Sequence, residues 1–259
     1  EALEERWRGG GVVVVDKPAD LVVHPSRGHI DGTLVNGLLH LIAEAKVRLG
    51  EFPTPPTRPG IVHRLDRGTS GVMVAARTAD ALQHLAAQFA AHTVHRRYAA
   101  LIWGQPKHHS GTVDAALGRH PKDRLRVAVI PEGRRAVTHY EVIDEARYGI
   151  AGDAQGGVIS LLRCQLETGR THQIRVHMHH IGLPIVGDPL YGRKRPVPGP
   201  LKALLEPLTD QMLHAGELGF VHPGTGARVQ FSTPPPAAFR AVLDGLGMAI
   251  PFLGAVPED

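Results

Sequence analysis

Apolar residues recur along this chain with two different periods. Residues 11 to 23 hold two β-rich runs, Val12-Val13-Val14-Val15 and Leu21-Val22-Val23. The intervening Asp16-Lys17-Pro18-Ala19-Asp20 has the composition of a turn. From 33 to 49 the period lengthens. Leu34, Leu38, Leu41 and Ile42 fall on one face of a helix, with Thr33 as its cap. Residues 50 to 60 carry four prolines and predict a surface loop. A strand is expected over Gly71 to Ala76, then a helix over 80 to 92. In that helix Leu82, Leu85, Ala86 and Phe89 form a stripe, and Asp80 stands as N-cap with Gln83 three residues on.

The second half reads mainly as strands. Tyr98 to Trp103, Thr112 to Ala115, Val127 to Ile130, Val137 to Ile143 and Val158 to Glu167 follow one another with few helical interruptions. Gly149 to Gly157 holds four glycines and reads as a loop tip, and residues 193 to 200, with three prolines and three basic residues, as an exposed loop. A helix is expected from Thr171 to Ile181, closed by Gly182 at C′, and another near Ala237 to Leu246. Strands that follow each other directly favour an α+β class over a regular parallel array. The expectation is a large, mixed but mostly antiparallel central sheet flanked by helices and loops.

The chain has 259 residues, 42% of them hydrophobic, enough for a sizeable core. All of 1–259 is expected to form one catalytic domain, bilobed around a central cleft. Net charge is +4, and 17 histidines add latent positive charge below neutral pH. That balance suits a polyanionic partner without requiring one. The single cysteine, Cys164, excludes an internal disulfide and reads as a small core residue of a strand. No apolar run approaches the roughly 20 residues needed to cross a bilayer, so the expected location is cytoplasmic. No P-loop, dinucleotide fingerprint or paired CxxC is present.

Two polar clusters stand out. In His63-Arg64-Leu65-Asp66-Arg67-Gly68-Thr69-Ser70-Gly71 a carboxylate lies between two arginines, just ahead of an apolar strand. One reading is a charged turn in which Asp66 caps backbone amides. The other is an anionic nucleophile kept ionised by its cationic neighbours. The second cluster is Glu167-Thr168-Gly169-Arg170-Thr171-His172-Gln173-Ile174-Arg175-Val176-His177-Met178-His179-His180. On a helix, His172, Arg175 and His179 share one face, and Ile174, Met178 and Ile181 form an apolar stripe. A solvated basic face is the plain reading. A zinc site is disfavoured, because these histidines fit no HExxH pattern and no cysteine pair accompanies them. A third segment, Arg96-Arg97-Tyr98, sets a tyrosine after basic residues. It suits base stacking, and equally a half-buried strand aromatic.

Taken together these segments resemble the RluA/RluD family of pseudouridine synthases. The likeness starts at Asp16-Lys17-Pro18-Ala19-Asp20-Leu21-Val22-Val23-His24-Pro25 and runs through Gly60 to Asp66, Thr69-Ser70-Gly71, Tyr98 and Thr168 to His177. It continues through Gly182 to Gly192, Leu213-His214-Ala215 and Phe220 to Pro223. The pattern is most similar to the branch that modifies large-subunit ribosomal RNA. Asp20 replaces the family's usual glycine; aspartate tolerates a positive φ better than most residues. His95-Arg96-Arg97 also departs from the acidic or lysine residues common before the tyrosine.

The resemblance implies an isomerase that converts uridine to pseudouridine in structured RNA. It makes Asp66 the nucleophile, Tyr98 the aromatic that packs on the target base and removes the C5 proton, and Arg175 the partner of the aspartate. Arg64 would hold the flipped nucleotide and fill its place in the stack. Arg67, Arg96, Arg97, Arg170 and His172 join it as expected RNA contacts, with Arg119, Lys122, Arg124 and Arg126 as further candidates for the phosphates. No metal or other cofactor is implied, since the reaction is redox-neutral and adds no atoms. The expected partner is a ribosomal RNA stem-loop, bound by a monomer with no membrane association. A small RNA-binding domain is expected upstream of Glu1. Two rival classes remain, an RNA-binding or assembly module without catalysis and an Asp-dependent hydrolase. The Asp66, Tyr98 and Arg175 set argues against the first, and no base or metal to activate water supports the second.

Overall fold

The computed structural model describes residues 4–23, 31–44, 59–149, 157–192, 197, 199–249 and 251. The chain divides into two compact units. The first comprises Glu1–Arg96, Ala215–Pro234 and Phe252–Asp259; the second comprises Arg97–His214 and Pro235–Pro251.

The first unit is built on three antiparallel strands, β1 (Glu4–Gly9), β2 (Val12–Lys17) and β3 (Ser70–Ala76). β2 and β3 pair Val14 with Val74, and nearly every side chain in both strands is buried. That explains why the valine run is continuous rather than alternating: both faces of these strands are covered. Helix α1 (Leu34–Glu44) buries Leu34 and Leu38, as their spacing predicts. Helix α2 (Ala79–Ala90) packs Ala81, Leu82 and Leu85 into a core with Val12, Val14, Val72, Val74, Phe220 and Phe231. Ala86, assigned to that stripe, is exposed. The cap is Thr78, whose hydroxyl accepts the Ala81 amide at 3.3 Å, so Asp80 lies inside the first turn rather than before it.

The expected strand at Leu21-Val22-Val23 does not form. Its carbonyls are used instead by the start of α1: the amides of Leu34 and Val35 donate to Val22 and Val23 at 2.9 and 3.0 Å. Thr33 does flank α1, but Asn36 is the acceptor there, taking both the Thr33 amide and hydroxyl.

In the second unit β4 (His95–Trp103), whose first two residues belong to the first unit, pairs with β9 (Gly157–Leu166). β9 pairs with β8 (Val137–Tyr148), and β8 with β5 (Ser110–Asp114), all antiparallel. A short hairpin joins β6 (Leu117–Arg119) to β7 (Val127–Val129). Helices α3 (Gln173–His180), α4 (Lys202–Leu205) and α5 (Ala237–Gly245) complete this unit. A further antiparallel pair, β10 (Leu213–Val221) with β11 (Arg228–Ser232), lies almost wholly in the first unit. Sequence periodicity did not identify β1, β10 or β11.

These pairings give the α+β, mostly antiparallel class expected from the strand succession. Cys164 is fully buried in β9, and that burial pushes its thiol up to about 12. The proline-rich stretch at 50–60, the glycine-rich tip at 149–157 and the loop at 193–200 lie largely outside the described residues. Among the described residues no helix is long and apolar enough to cross a membrane.

Candidate active site

In the first unit, residues 60–71 form a segment fastened at both ends. Gly60, at φ 72°, approaches β3 so closely that a Cβ would come within 2.1 Å of the Ala76 carbonyl oxygen. Gly71, at φ 123°, is pressed equally hard against the Ala215 backbone. Both need a residue without a side chain. Between them the His63 ring lies stacked on Phe89 at 4.7 Å. Its Nε2 accepts the Val74 amide at 3.1 Å, so the imidazole stands in for a backbone acceptor and must be neutral. Burial, aided by the nearby Arg96 charge, lowers its pKa from 6.5 to about 3.

Asp66 follows on a tight turn whose carbonyl accepts the Thr69 amide at 3.0 Å; its side chain is half-buried. Lys17 anchors this turn. Fully buried, it donates from Nζ to the carbonyls of Pro18, Leu21 and Arg67 at 2.8 to 2.9 Å. The end of β2 and the turn that follows it at Ala19-Asp20 are thus tied to the residue after Asp66. Asp20 has φ 70°, the left-handed conformation anticipated for the position where the family has glycine.

Arg64 and Arg67 are exposed, and Arg67 reaches Asp20 at 3.5 Å. Arg96 differs from its expected surface place: it is 7% exposed, with its guanidinium over the Phe89 ring at 5.7 Å.

The second unit holds Arg97, Tyr98, Arg170, His172 and Arg175. Tyr98 is buried in β4 opposite Cys164, with the half-buried Arg97 opposite Gln165. Helix α3 begins two residues later than expected because His172 has φ 56°, which no α-helical residue adopts. It ends as predicted at Gly182, φ 82°. The amides of Gly182 and Leu183 return to the carbonyls of His179 and Met178 in a Schellman closure.

The expected solvated basic face of α3 is not what forms. Gln173 through Met178 are all buried. Gln173 donates to the Val137 carbonyl at 2.9 Å and accepts from Thr168 at 2.7 Å and the Arg170 amide at 2.9 Å. His177 donates from Nε2 to the Ala115 carbonyl at 3.0 Å and accepts the Thr138 hydroxyl at Nδ1. Burial lowers its pKa against the pull of the Ala115 bond. Much of the polar motif therefore fastens the helix to β8.

Arg175, 4% exposed, donates from Nε and Nη2 to the two oxygens of Asp188 at 2.8 and 2.9 Å. Burial raises the Asp188 pKa. Arg175, together with the amides of Tyr191 and Leu190, outweighs that and holds the carboxyl below its ordinary value. The Tyr191 ring lies 5.2 Å from the Arg175 guanidinium carbon, and its hydroxyl meets His172 Nδ1 at 2.8 Å. His179 packs on the same ring at 6.1 Å. The face shared by His172, Arg175 and His179 is thus real, and it surrounds a buried tyrosine. Arg170 sits beside Arg134. Partial burial, then that neighbouring charge, lowers its pKa.

Asp66 accordingly belongs to the first unit, and Tyr98 and Arg175 to the second. Sequence reasoning assigned no role to Lys17, His63, Asp188 or Tyr191. An ionisable residue next to a glycine or proline, as at Lys17-Pro18 and Gly187-Asp188-Pro189, was the available signal.

The family model for RNA pseudouridylate synthases matches residues 11–180. The chain is 48% identical over 228 residues to an uncharacterized RNA pseudouridine synthase of Chloroflexus aurantiacus, covering 88% of this chain and 64% of that one. It is 46% identical over 239 residues to the ribosomal large subunit pseudouridine synthase D of Xanthomonas campestris pv. campestris, covering 91% and 66%. The chain therefore spans a little under two thirds of the length of either relative. Among solved structures, Human RNA Pseudouridylate Synthase Domain Containing 4 superimposes with a TM-score of 0.70 at 22% identity, covering 98% of this chain and 95% of that one, which shows the fold.

Proposed function

The chain belongs to the RNA pseudouridylate synthase family, in its RluA/RluD group, and from that premise we propose that it isomerises uridine to pseudouridine in structured RNA. The proposed substrate is a stem-loop of large-subunit ribosomal RNA; the name of the Xanthomonas relative supports the ribosomal large subunit as the source of that RNA. The observation that carries the reading is that the family match spans Asp66, Tyr98 and Arg175 together.

The chemistry fits these residue types. The N1–C1′ bond of uridine breaks, the uracil turns, and a C5–C1′ bond forms. The C5 proton is lost and N1 gains one, so the atoms balance with no redox change. Asp66 is the proposed nucleophile and Arg175 the proposed cationic partner in the reaction. Tyr98 packs on the base, and its phenol oxygen takes the C5 proton as it gives up its own, which leaves to solvent while N1 is protonated. The target base leaves its stack at a cost of about a few kcal/mol, which favours loops over perfect duplex. Arg64 fills the vacated place. Arg67, whose exposed pair with Asp20 contributes at most about 1 kcal/mol, is readily given up to a phosphate. Arg97, Arg170 and His172 are proposed to contact the RNA as well, and the like-charged Arg134–Arg170 neighbourhood favours an anion. Arg96, whose guanidinium packs over the Phe89 ring, is a proposed support for this surface. The enzyme is read as a cytoplasmic monomer that needs no cofactor.

The test is incubation with large-subunit ribosomal RNA transcripts followed by mapping of pseudouridine. Wild-type protein forms product, and Asp66→Asn, folded to the same melting temperature, forms none. Product at the wild-type rate from Asp66→Asn removes the nucleophile from the proposal.

A further inference from the structure

The clamp on Arg175 is made by residues that the proposed chemistry does not use. Asp188 accepts four donors on one carboxylate: Arg175 Nε and Nη2, and the amides of Leu190 and Tyr191, both at 2.9 Å on Oδ1. Its side chain is 0% exposed. The Gly192 amide closes the same turn on the Asp188 carbonyl at 3.0 Å. Tyr191, 2% exposed, holds its ring centre 5.2 Å from the guanidinium carbon, and its hydroxyl accepts the Val127 amide at 2.9 Å.

A bidentate carboxylate fixes the plane and the rotation of a guanidinium, and an aromatic face restrains it from the side. Stability alone is a poor reason for such an arrangement. Desolvating both charges cancels much of their attraction, and well-packed apolar residues often hold a fold as firmly. Orientation is what the bidentate geometry adds.

We propose that the turn Asp188–Tyr191 is the positioning element of Arg175, fixing the direction in which its guanidinium is presented to the reacting uridine, with neither Asp188 nor Tyr191 touching substrate. The inference rests on the reading of Arg175 as part of the pseudouridine-forming site. Asp188 acts through charge and geometry on Arg175. Tyr191 acts as a brace held in place by β7 and by His172.

The experiment has two arms on the whole protein. In the first, without RNA, the Nε–H resonance of Arg175 is followed by nitrogen NMR. It is sharp and slowly exchanging in the wild type, and broadened or lost in Asp188→Asn. In the second, single-turnover pseudouridine formation and RNA affinity are measured for Asp188→Asn, Tyr191→Phe, Arg175→Lys and the Asp188→Asn/Arg175→Lys double variant. Displacement of a catalytic group by about an ångström costs up to about a hundredfold. Asp188→Asn is therefore expected to slow the step about 10- to 100-fold with RNA affinity within about twofold of wild type. In the Arg175→Lys background the same change costs under about twofold, because its route of action is gone.

Additive losses, or an Asp188→Asn rate equal to wild type while Arg175→Lys is impaired, overturn the inference and leave the functional reading standing. An Arg175→Lys rate equal to wild type instead sinks the role of Arg175, and this inference with it. Should Asp188→Asn not fold, Tyr191→Phe, which deletes one oxygen, decides the matter. A rate loss of about 3- to 10-fold supports the brace, and an unchanged rate refutes it.

Discussion

Replacing Lys17 by methionine tests how the segment carrying Asp66 is held. The substitution removes the ammonium and keeps most of the side-chain volume. In the native protein Nζ donates to three carbonyls, those of Pro18, Leu21 and Arg67. Three is the full donor complement of a lysine ammonium. In the variant each carbonyl loses the donor that the buried lysine supplied, which costs roughly 1–3 kcal/mol apiece when no water replaces it. Against this, the variant no longer desolvates an ammonium, a relief of several kcal/mol. The two together leave a net loss of roughly 3 kcal/mol. Because the Arg67 carbonyl adjoins Asp66, the turn also loosens, and activity is expected to fall about tenfold or more even where the variant is folded. Urea denaturation followed by circular dichroism gives the first quantity, and single-turnover pseudouridine formation at 20 °C, well below the melting transition, gives the second. A stability loss under about 1 kcal/mol, or a folded variant as active as wild type, would show that these bonds do not hold the Asp66 turn.

Two further predictions concern stability. His63 titrates from 6.5 when unfolded to about 3 when folded. The stability of its neutral, Val74-bonded form is therefore fully present above pH 6.5 and is lost progressively as the pH falls from there toward about 3. Stability measured from pH 7 to pH 4 should fall less steeply in His63→Asn than in wild type, and parallel curves would contradict the assignment. At α2, Thr78→Ala should cost about 1 kcal/mol by removing the hydroxyl that accepts the Ala81 amide, whereas Asp80→Ala should cost at most about half as much. Thermal melts that rank the two variants the other way would restore Asp80 as the cap.

Much of the fold is legible in the chain itself. The valine run of β2, the strand after Gly71, the stripe of α2 and the closure of α3 at Gly182 all follow from local rules. Side chains two apart share a strand face, those three or four apart share a helix face, and a left-handed closing residue favours glycine. The motifs bearing Asp66, Tyr98 and Arg175 are likewise visible without coordinates. Other features depended on partners far along the sequence. Leu21-Val22-Val23 has strand composition, yet its carbonyls serve the start of α1. Lys17 finds the carbonyl of Arg67 fifty residues away, and Arg175 finds Asp188 thirteen residues on. The basic face of α3 reads as solvated until Asp188 and Tyr191 enclose it. The physical reason is common to these cases. Periodicity follows from backbone geometry within one element, whereas a buried polar group takes whichever partner the packed chain brings within hydrogen-bond reach.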